Sequence, residues 1–236
     1  RYFVLDLLPK ELVLDTYKGL PSKASYNLRD TFRERKLTFA KLDNLSSALP
    51  GAVTDSFHDS RIIKLVGDIV KIPNLEGDPS LYAGGISRMD QTHFLNPHID
   101  NSHDADRKRY RRLNLLFYVS PDLEEHDGGN FELWDQHVKT PFRIAAKFNR
   151  LVVMETNSTS WHSVDPVVSD KPRCCVSNYY FSEESPTGQD YYHVTSFLGR
   201  PGQIGRRIYG RLDNFMRQKV STVLGISRGK GLSRYS

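Results

Sequence analysis

The chain has 236 residues and a net charge of +5, with 38% hydrophobic and 11% aromatic residues. This length is enough for one sizeable domain, and the composition excludes a disordered chain. The longest apolar runs fall well short of the roughly 20 residues that a membrane-spanning helix needs.

The only two cysteines, Cys174 and Cys175, are adjacent in the sequence. Neighbouring cysteines seldom meet the geometry of a disulfide, so both are expected to be free packing residues. A chain without disulfides favours a reducing compartment, and the expected location is cytoplasmic. The start shows no charged-then-apolar leader, although a leader removed before Arg1 would leave no trace.

The first 80 residues are expected to be mainly helical. Pro9 precedes the segment KELVLDTYKGL, which places a proline at the first turn of a helix and a glycine near its end. Residues 54–72 have helical spacing and predict a second helix. The apolar residues expected on one face of that helix are Phe57, Ile62, Leu65, Ile69 and Ile72. These helices should support the rest of the fold.

The pattern changes after residue 80. Residues 111–120, 130–135, 150–156 and 173–182 are rich in β-branched and aromatic residues, and Gly, Pro, Asn and Asp separate them. No helix of useful length fits between these segments. An antiparallel sandwich or barrel is therefore favoured over parallel βαβ units.

The C-terminal part of the chain is strongly basic. From Gly199 to Ser236 there are nine Lys or Arg residues and one acid, Asp213. Residues 203–224 have helical spacing, which predicts a basic amphipathic helix. Its apolar positions are Ile204, Ile208, Leu212, Phe215, Val220 and Val223.

Three interpretations of this basic helix are open. The default is that its apolar stripe covers a face of the sheet while the arginines are exposed. The second is peripheral contact with an anionic membrane or lipid substrate. Binding to nucleic acid ranks last, because no aromatic-interleaved platform accompanies the charge.

A candidate metal site begins in the stretch NPHIDNSHD, residues 96–104. On a strand, His98 and Asp100 would point to the same side, although a His-x-Asp pair alone is weak evidence. His162 in TSWHSVDP is a candidate third ligand. Two histidines and one carboxylate with open positions opposite form the ligand set of non-haem Fe(II) oxygenases. Eleven residues later, Arg173 opens a predicted strand, where a guanidinium can hold a dicarboxylic acid through a bidentate contact.

The segments GGISRMDQTHFLNPHID, RRLNLLFYVSPD, DGGNFELWD, KFNRLVVMETNSTSWHSVDPV and KPRCCVSNYYFS stand in this order between residues 81 and 183. They resemble the catalytic domain of the Fe(II)/2-oxoglutarate-dependent dioxygenases of the prolyl 4-hydroxylase-like group. The resemblance implies a mainly β fold, a double-stranded β-helix or jelly roll. It also implies a single domain in which residues 1–80 give helical support, 81–183 form the catalytic core and 184–236 form a C-terminal extension.

The resemblance also implies roles for individual residues. His98, Asp100 and His162 match the metal ligands. Arg173 matches the basic residue that binds the far carboxylate of 2-oxoglutarate, and Tyr118 matches a tyrosine that often shares this carboxylate. Because the carboxylate of Asp100 is present, a halogenase that vacates this position is disfavoured.

Further positions follow from the same resemblance. Asn114 and Ser177 fall on inward-facing cosubstrate positions. Gly128 and Gly129 match paired glycines where the sheet turns sharply. Met89 stands where many relatives carry a tyrosine near cosubstrate or substrate, which leaves the substrate class open.

The implied activity is hydroxylation of an unactivated C–H bond with Fe(II), 2-oxoglutarate and O2, releasing succinate and CO2, with ascorbate as a reductant. The candidate substrate residues are His93, Met89, Arg107 and Trp161. For His93 a structural role is at least as well supported as contact with substrate, and for Trp161 the two roles are equally well supported. Arg107 belongs to the charged run DRKRYRR, residues 106–112. This run could clamp an acidic substrate, although such runs are ordinarily solvated. The neighbouring His103 and Asp104 could also act as metal ligands, but they lie in a charged loop and are expected to be solvated.

Several alternatives stay open at this point. The basic loop and tail favour an anionic small molecule or a lipid or saccharide intermediate as substrate, and a protein prolyl residue is the alternative. A cupin-like metal enzyme would lack the cosubstrate, and an inward arginine at position 173 would then be buried unpaired at a cost. A non-catalytic binding protein that uses its basic tail would lose function on deletion of residues 200–236 but not on His162→Ala.

Overall fold

A computed structural model describes residues 2–42, 45 and 47–224. These residues contain four α-helices and twelve strands. The helices are α1 Lys10–Lys18, α2 Ala48–Ser56, α3 Ser60–Val70 and α4 Ile204–Leu224. The strands are β1 Tyr2–Asp6, β2 Asn27–Asp30, β3 Glu34–Phe39, β4 Gly85–Met89, β5 Phe94–Ile99, β6 Tyr110–Tyr118, β7 Phe131–Trp134, β8 Pro141–Ile144, β9 Arg150–Glu155, β10 His162–Val164, β11 Arg173–Ser182 and β12 Ser196–Phe197.

All described strands join one curled antiparallel sheet. Its order is β1-β9-β6-β11-β4-β3-β5-β10-β7-β8, with β2 added to β3 and β12 added to β5. Residues of β6, β9 and β11 share one buried cluster with residues of β7 and β8, although these groups lie far apart in the strand order. The two ends of the sheet therefore fold over each other, and the predicted jelly roll is confirmed.

Alternation along the central strands separates two cores. On β6, Leu113, Leu115 and Phe117 pack in the cluster that also contains residues of the N-terminal helices. Leu116 and Tyr118 point to the opposite side, into the interior of the curled sheet. This period of two is the reason that one face of β6 is covered by helices while the other lines the site.

The prediction that residues 1–80 are mainly helical is wrong in part. Helices α1, α2 and α3 are present, but β1, β2 and β3 lie in the same segment. Strand β1 pairs with β9 along five residues, and β3 bridges β4 and β5. The charged sequence ERKLTF of β3 hides its strand character, because its pairing partners come from far along the chain. The proposed support and core segments thus share one sheet.

The single helix predicted over residues 54–72 is in fact two helices. Helix α2 ends at Ser56, and Asp59 caps α3 by accepting a hydrogen bond from the backbone N–H of Arg61. The predicted apolar face is also wrong for α3. Ile62, Leu65 and Ile69 are exposed, because α3 turns Val66 and Gly67 towards the core instead.

Cys174 and Cys175 are both free and buried, as predicted. The cytoplasmic location inferred from them stays a prediction. In the part of the chain that the structure describes, no helix combines the length and the apolar character needed to cross a bilayer.

Helix α4 is present, but the default interpretation of its apolar stripe is wrong. Its exposed residues include Ile204, Ile208, Leu212, Phe215 and Val220, which are between 53% and 71% accessible. The polar side instead holds the helix to the body of the protein. Asn214 accepts from Phe197 N and donates to Phe197 O, and Gln218 accepts from Val194 N and donates to Tyr192 O.

Candidate metal centre

Three predicted ligands meet on the paired strands β5 and β10. His98 on β5 is the direct cross-strand partner of His162 on β10, and Asp100 follows the end of β5. The Nε2 atoms of His98 and His162 each lie 3.7 Å from a different carboxylate oxygen of Asp100. One potential ligand atom from each residue falls within 4.8 Å of the others. All three side chains are buried.

Backbone carbonyls orient both imidazoles. His98 Nδ1 lies 3.1 Å from Asn96 O, and His162 Nδ1 lies 2.9 Å from Ser160 O. A carbonyl can only accept, so each Nδ1 carries the proton and each Nε2 presents its lone pair to the centre. This arrangement is the one seen where histidine binds a metal.

The electrostatics match the same protonation states. Burial, with His162 as a second cause, lowers the pKa of His98 to about 3, which keeps its imidazole neutral. Burial opposes the negative charge of Asp100, but the cationic Arg111 is the largest of the opposing causes, and the pKa of this carboxyl is held below its ordinary value. Neutral imidazole and ionised carboxylate are the forms that bind a divalent cation.

Arg173 and Tyr118 lie together in the interior of the sheet. The guanidinium carbon of Arg173 is 4.9 Å from the centre of the Tyr118 ring, and Arg173 Nε donates to Gly129 O at 3.0 Å. Among the described residues, no carboxylate is within ion-pair distance of Arg173. The hydroxyl of Tyr118 is buried beside the Arg173 guanidinium, and burial raises its pKa although Arg173 opposes the shift. A bound carboxylate would satisfy both groups, so the residues fit 2-oxoglutarate.

One cavity of about 820 Å³ joins these groups. Its lining includes the three metal-site residues and Arg173, and also Asn114, Ser177 and Met89. The side-chain oxygen of Asn114 is buried and has no protein partner. The structure therefore brings together the predicted metal and cosubstrate residues around this cavity, with Tyr118 directly beside Arg173.

The remaining predicted substrate residues do not line the cavity. Trp161 accepts a backbone hydrogen bond from Trp134, and His93 is buried beside the loop at residue 167. Arg107 stacks its guanidinium 4.1 Å from the ring centre of Tyr192, which does line the cavity. His103 was expected to be solvated but is buried against Tyr110, because the loop folds back onto β6.

Asp104 was also expected to be solvated, and it is buried as well. Its carboxylate accepts hydrogen bonds from Lys108 N and Arg109 Nε, which hold the loop closed.

The paired glycines allow the chain to pass close to Arg173. Gly128 and Gly129 have φ values of 75° and 71°. A side chain at Gly128 would collide with the carbonyl oxygen of Pro166, and one at Gly129 would press on the side chain of Arg173. These turns therefore need glycine at both positions.

The most prominent cavity residue that the sequence analysis did not single out is Arg111, which lies in the charged run 106–112. It is only 1% exposed, and its Nη1 lies 3.5 Å from Asp100 Oδ1. In regular alternation with Asn114 and Leu116, Arg112 would face the interior instead. A register irregularity places Leu113 opposite Tyr180 and Arg111 opposite Phe181, so the strand bulges at Arg112 and turns Arg111 inward. Nothing in the local sequence signals this bulge.

Comparison with known proteins agrees with this geometry. Residues 84–181 match the family model described as the 2OG-Fe(II) oxygenase superfamily. Prolyl 3-hydroxylase OGFOD1 of Xenopus laevis is 32% identical over 103 residues, which cover 40% of this chain and 20% of that protein. The chain thus spans about one fifth of the length of this curated relative.

Two solved structures show the same fold. A Pseudomonas putida prolyl-4-hydroxylase has a TM-score of 0.57 and 15% identity, over 77% of this chain and 92% of the other. HygX from Streptomyces hygroscopicus, solved with nickel, 2-oxoglutarate and hygromycin B, has a TM-score of 0.53 and 16% identity, over 82% of this chain and 91% of the other.

The site has the two-histidine, one-carboxylate ligand set of non-haem Fe(II) oxygenases. Residues 84–181 match the 2OG-Fe(II) oxygenase superfamily, and the fold is shared with a solved prolyl-4-hydroxylase. The cofactors of this family are Fe(II) and 2-oxoglutarate, and the donor atoms and buried arginine described above fit both.

Proposed function

We propose that the chain is an Fe(II)- and 2-oxoglutarate-dependent dioxygenase that hydroxylates an unactivated C–H bond. The observation that carries this proposal is a buried two-histidine, one-carboxylate cluster in the same cavity as Arg173, a buried arginine without a carboxylate partner. When bound, iron and 2-oxoglutarate supply the oxidising chemistry with O2, and succinate and CO2 leave. Ascorbate as a reductant stays a prediction.

In this proposal the chain itself binds, orients and excludes water. His98, Asp100 and His162 hold the metal, and the carbonyls behind the histidines keep their Nε2 atoms unprotonated. Arg173 and Tyr118 hold the far carboxylate of the cosubstrate. Asn114 and Ser177 offer it further polar contacts along the wall of the cavity.

Cosubstrate binding by Arg173 can be tested by calorimetry. Arg173→Gln removes a charge-assisted contact of roughly 1.5–3 kcal/mol, so 2-oxoglutarate should bind about 10- to 100-fold more weakly. Arg61→Gln removes an exposed arginine on α3 and should leave the affinity unchanged. Equal affinity of wild type and Arg173→Gln, or no binding by wild type, would favour the cupin-like alternative.

We propose two substrate classes for this site. A protein prolyl residue is supported by the names of OGFOD1 and the Pseudomonas putida structure. An anionic small molecule, or a lipid or saccharide intermediate, is supported by the basic character of the chain around the mouth. HygX has the same fold and was solved with hygromycin B, so the fold does not choose between them. Succinate release should be measured with a prolyl-peptide array and with a set of anionic metabolites. Robust turnover with only one of these sets identifies the substrate class.

We also propose that α4 makes peripheral contact with an anionic lipid surface. Its apolar residues are exposed, and Arg206, Arg211 and Lys219 flank them with positive charge. Leu212 and Met216 of the same helix line the cavity, so a docked helix would bring the mouth of the site to the lipid. Vesicles containing phosphatidylserine should co-sediment the protein, whereas neutral vesicles should not. The double variant Leu212→Glu, Phe215→Glu should abolish this, and co-sedimentation that survives it would refute the proposal.

A further inference from the structure

We infer that the cavity holds an oxyanion group of the primary substrate, a carboxylate or a phosphate, on one edge of the Arg111 guanidinium. This inference rests on the proposed function, because it assigns the group to the molecule being oxidised. It names a substrate class that the fold alone does not define.

Arg111 has a buried charge with incomplete pairing. Its Nη1 faces Asp100 Oδ1 at 3.5 Å, and its guanidinium carbon stacks 4.0 Å from the ring centre of Tyr179. Its Nε and Nη2 atoms are buried and make no hydrogen bond within the described protein. A buried donor without an acceptor destabilises the fold, and more so when it is charged. Two such donors on one side chain point to a ligand that supplies the acceptors.

The two free donors define the shape of that ligand. Nε and Nη2 lie on the same side of the planar guanidinium and point in parallel directions, so they match two oxygens of one carboxylate or phosphate. A neutral peptide carbonyl offers a single oxygen and would leave one donor poorly satisfied. The edge therefore favours an anionic group over a prolyl residue within a protein.

The other cations of the cavity do not offer such an edge. Lys36 and Arg29 both pair with Glu34, at 3.0 and 3.6 Å. Arg217 pairs with Asp213 at 2.9 Å. Arg173 lies on another strand beside Tyr118, where the cosubstrate carboxylate is proposed to bind. Among the cationic side chains described here, Arg111 is thus the best placed to bind a second anion.

The position of Arg111 ties this anion to the reacting centre. Its Nη1 lies 3.5 Å from Oδ1 of Asp100, a proposed metal ligand, and its side chain lines the same cavity. An oxyanion held there would place the carbon atoms next to it close to the metal centre. We expect the oxidised carbon to lie within a few bonds of a carboxylate or phosphate group. The bulge at Arg112 is what gives Arg111 this position.

The test uses inorganic phosphate and acetate as probes, titrated by calorimetry into the anaerobic protein loaded with Fe(II) and saturating 2-oxoglutarate. The wild type should bind one of them at a single saturable site. Arg111→Lys keeps the positive charge but loses the pair of parallel N–H donors, and it should bind the anion at least about 10-fold more weakly. Arg111→Gln should show no saturable binding.

Arg112→Gln is the matched control, since it removes the neighbouring buried guanidinium, which donates to Ser182 Oγ on the other side of β6. It should leave anion binding unchanged. Thermal unfolding of each variant shows whether it is folded, and a poorly folded Arg111→Gln leaves Arg111→Lys as the deciding variant. Preference for phosphate or acetate distinguishes a phosphate ester from a carboxylic acid.

The inference is overturned if the wild type binds neither probe saturably, or if Arg111→Lys and wild type bind equally. It is also overturned if Arg112→Gln weakens binding as much as Arg111→Lys does. The visible spectrum with iron and 2-oxoglutarate is recorded in the same samples before the anion is added. Failure of the proposed function therefore shows as a missing absorption band, and anion binding to the metal-free protein can still be scored.

Discussion

At the scale of single residues, each metal-site histidine depends on a carbonyl two positions before it. Asn96 O faces His98 Nδ1, and Ser160 O faces His162 Nδ1. The first contact comes from the backbone of β5, and the second comes from the segment just before β10. Side-chain identity at the intervening positions is therefore free to vary as long as the backbone stays extended.

Glu34 gives a pH-dependent contribution to stability. Burial opposes its charge, but Lys36 and Arg29 outweigh burial and lower its pKa from 4.5 to about 2. A carboxyl with a lowered pKa in the folded state stabilises the fold above its unfolded pKa, and this contribution disappears as the pH falls from about 4.5 to about 2. The contribution is on the order of 3 kcal/mol.

Glu34→Gln should therefore make the free energy of unfolding less sensitive to acid in that window. Urea denaturation at about pH 6 and about pH 3 measures the difference for wild type and variant. Wild type should lose more stability than Glu34→Gln between these two conditions. Parallel losses would show that the ion pairs with Lys36 and Arg29 contribute nothing.

The turn at Gly128 and Gly129, which packs against Arg173, can be tested by substitution of Gly128. Its φ of 75° and ψ of −167° fall in a region that is essentially restricted to glycine, and a Cβ would also collide with Pro166 O. Gly128→Ala should lower the free energy of unfolding by about 2 kcal/mol or more. Gly188→Ala is the control, because its φ of 70° is similar but the space around it is open. Equal losses in urea denaturation would contradict a close approach at Gly128.

At the scale of elements, α4 is coupled to the metal site through β12. Asn214 holds both backbone polar groups of Phe197, and the Phe197 ring stacks on His98 with centroids 5.1 Å apart. Asn214→Ala removes two hydrogen bonds of about 1 kcal/mol each. The metal should then bind roughly 3- to 10-fold more weakly, because the ring that packs on His98 is released.

Metal affinity measured by titration with Ni(II) checks this coupling without relying on turnover. Arg211→Ala, on the exposed side of the same helix, should leave the affinity unchanged. If Asn214→Ala binds the metal as wild type does, α4 and the site are independent.

The individual strands and helices differ in how well the sequence predicts them. The β-rich segments were predictable because strands β6, β7, β9 and β11 carry their own signal. The candidate metal and cosubstrate residues were selected from their spacing in the sequence, and the structure places them on or next to β5, β6, β10 and β11. Strand β3 was not, since it exists only through pairing with distant β4 and β5. The inward turn of Arg111 was not, since a bulge reverses the alternation there. The apolar stripe of α4 predicted the helix correctly but not which side would dock, because hydrogen bonds from Asn214 and Gln218 decide that.

At the scale of the whole molecule, the two faces of one curled sheet have different roles. Its outer face packs on α1, α2 and α3 and carries the larger core, and its interior holds the polar groups of the cavity. We propose that this interior binds a metal and 2-oxoglutarate together, which requires His162 on β10 and Arg173 on β11, strands that are not neighbours in the sheet.

The most direct measurement is an anaerobic titration of the metal-free protein with Fe(II) and then 2-oxoglutarate, followed by visible absorption. A charge-transfer band should appear only when both are present, vanish in His162→Ala and weaken in Arg173→Ala. His103→Ala, which removes a buried histidine outside the cluster, should keep the band. Iron binding without the band would contradict the 2-oxoglutarate assignment, and absence of metal binding would contradict the metal site itself.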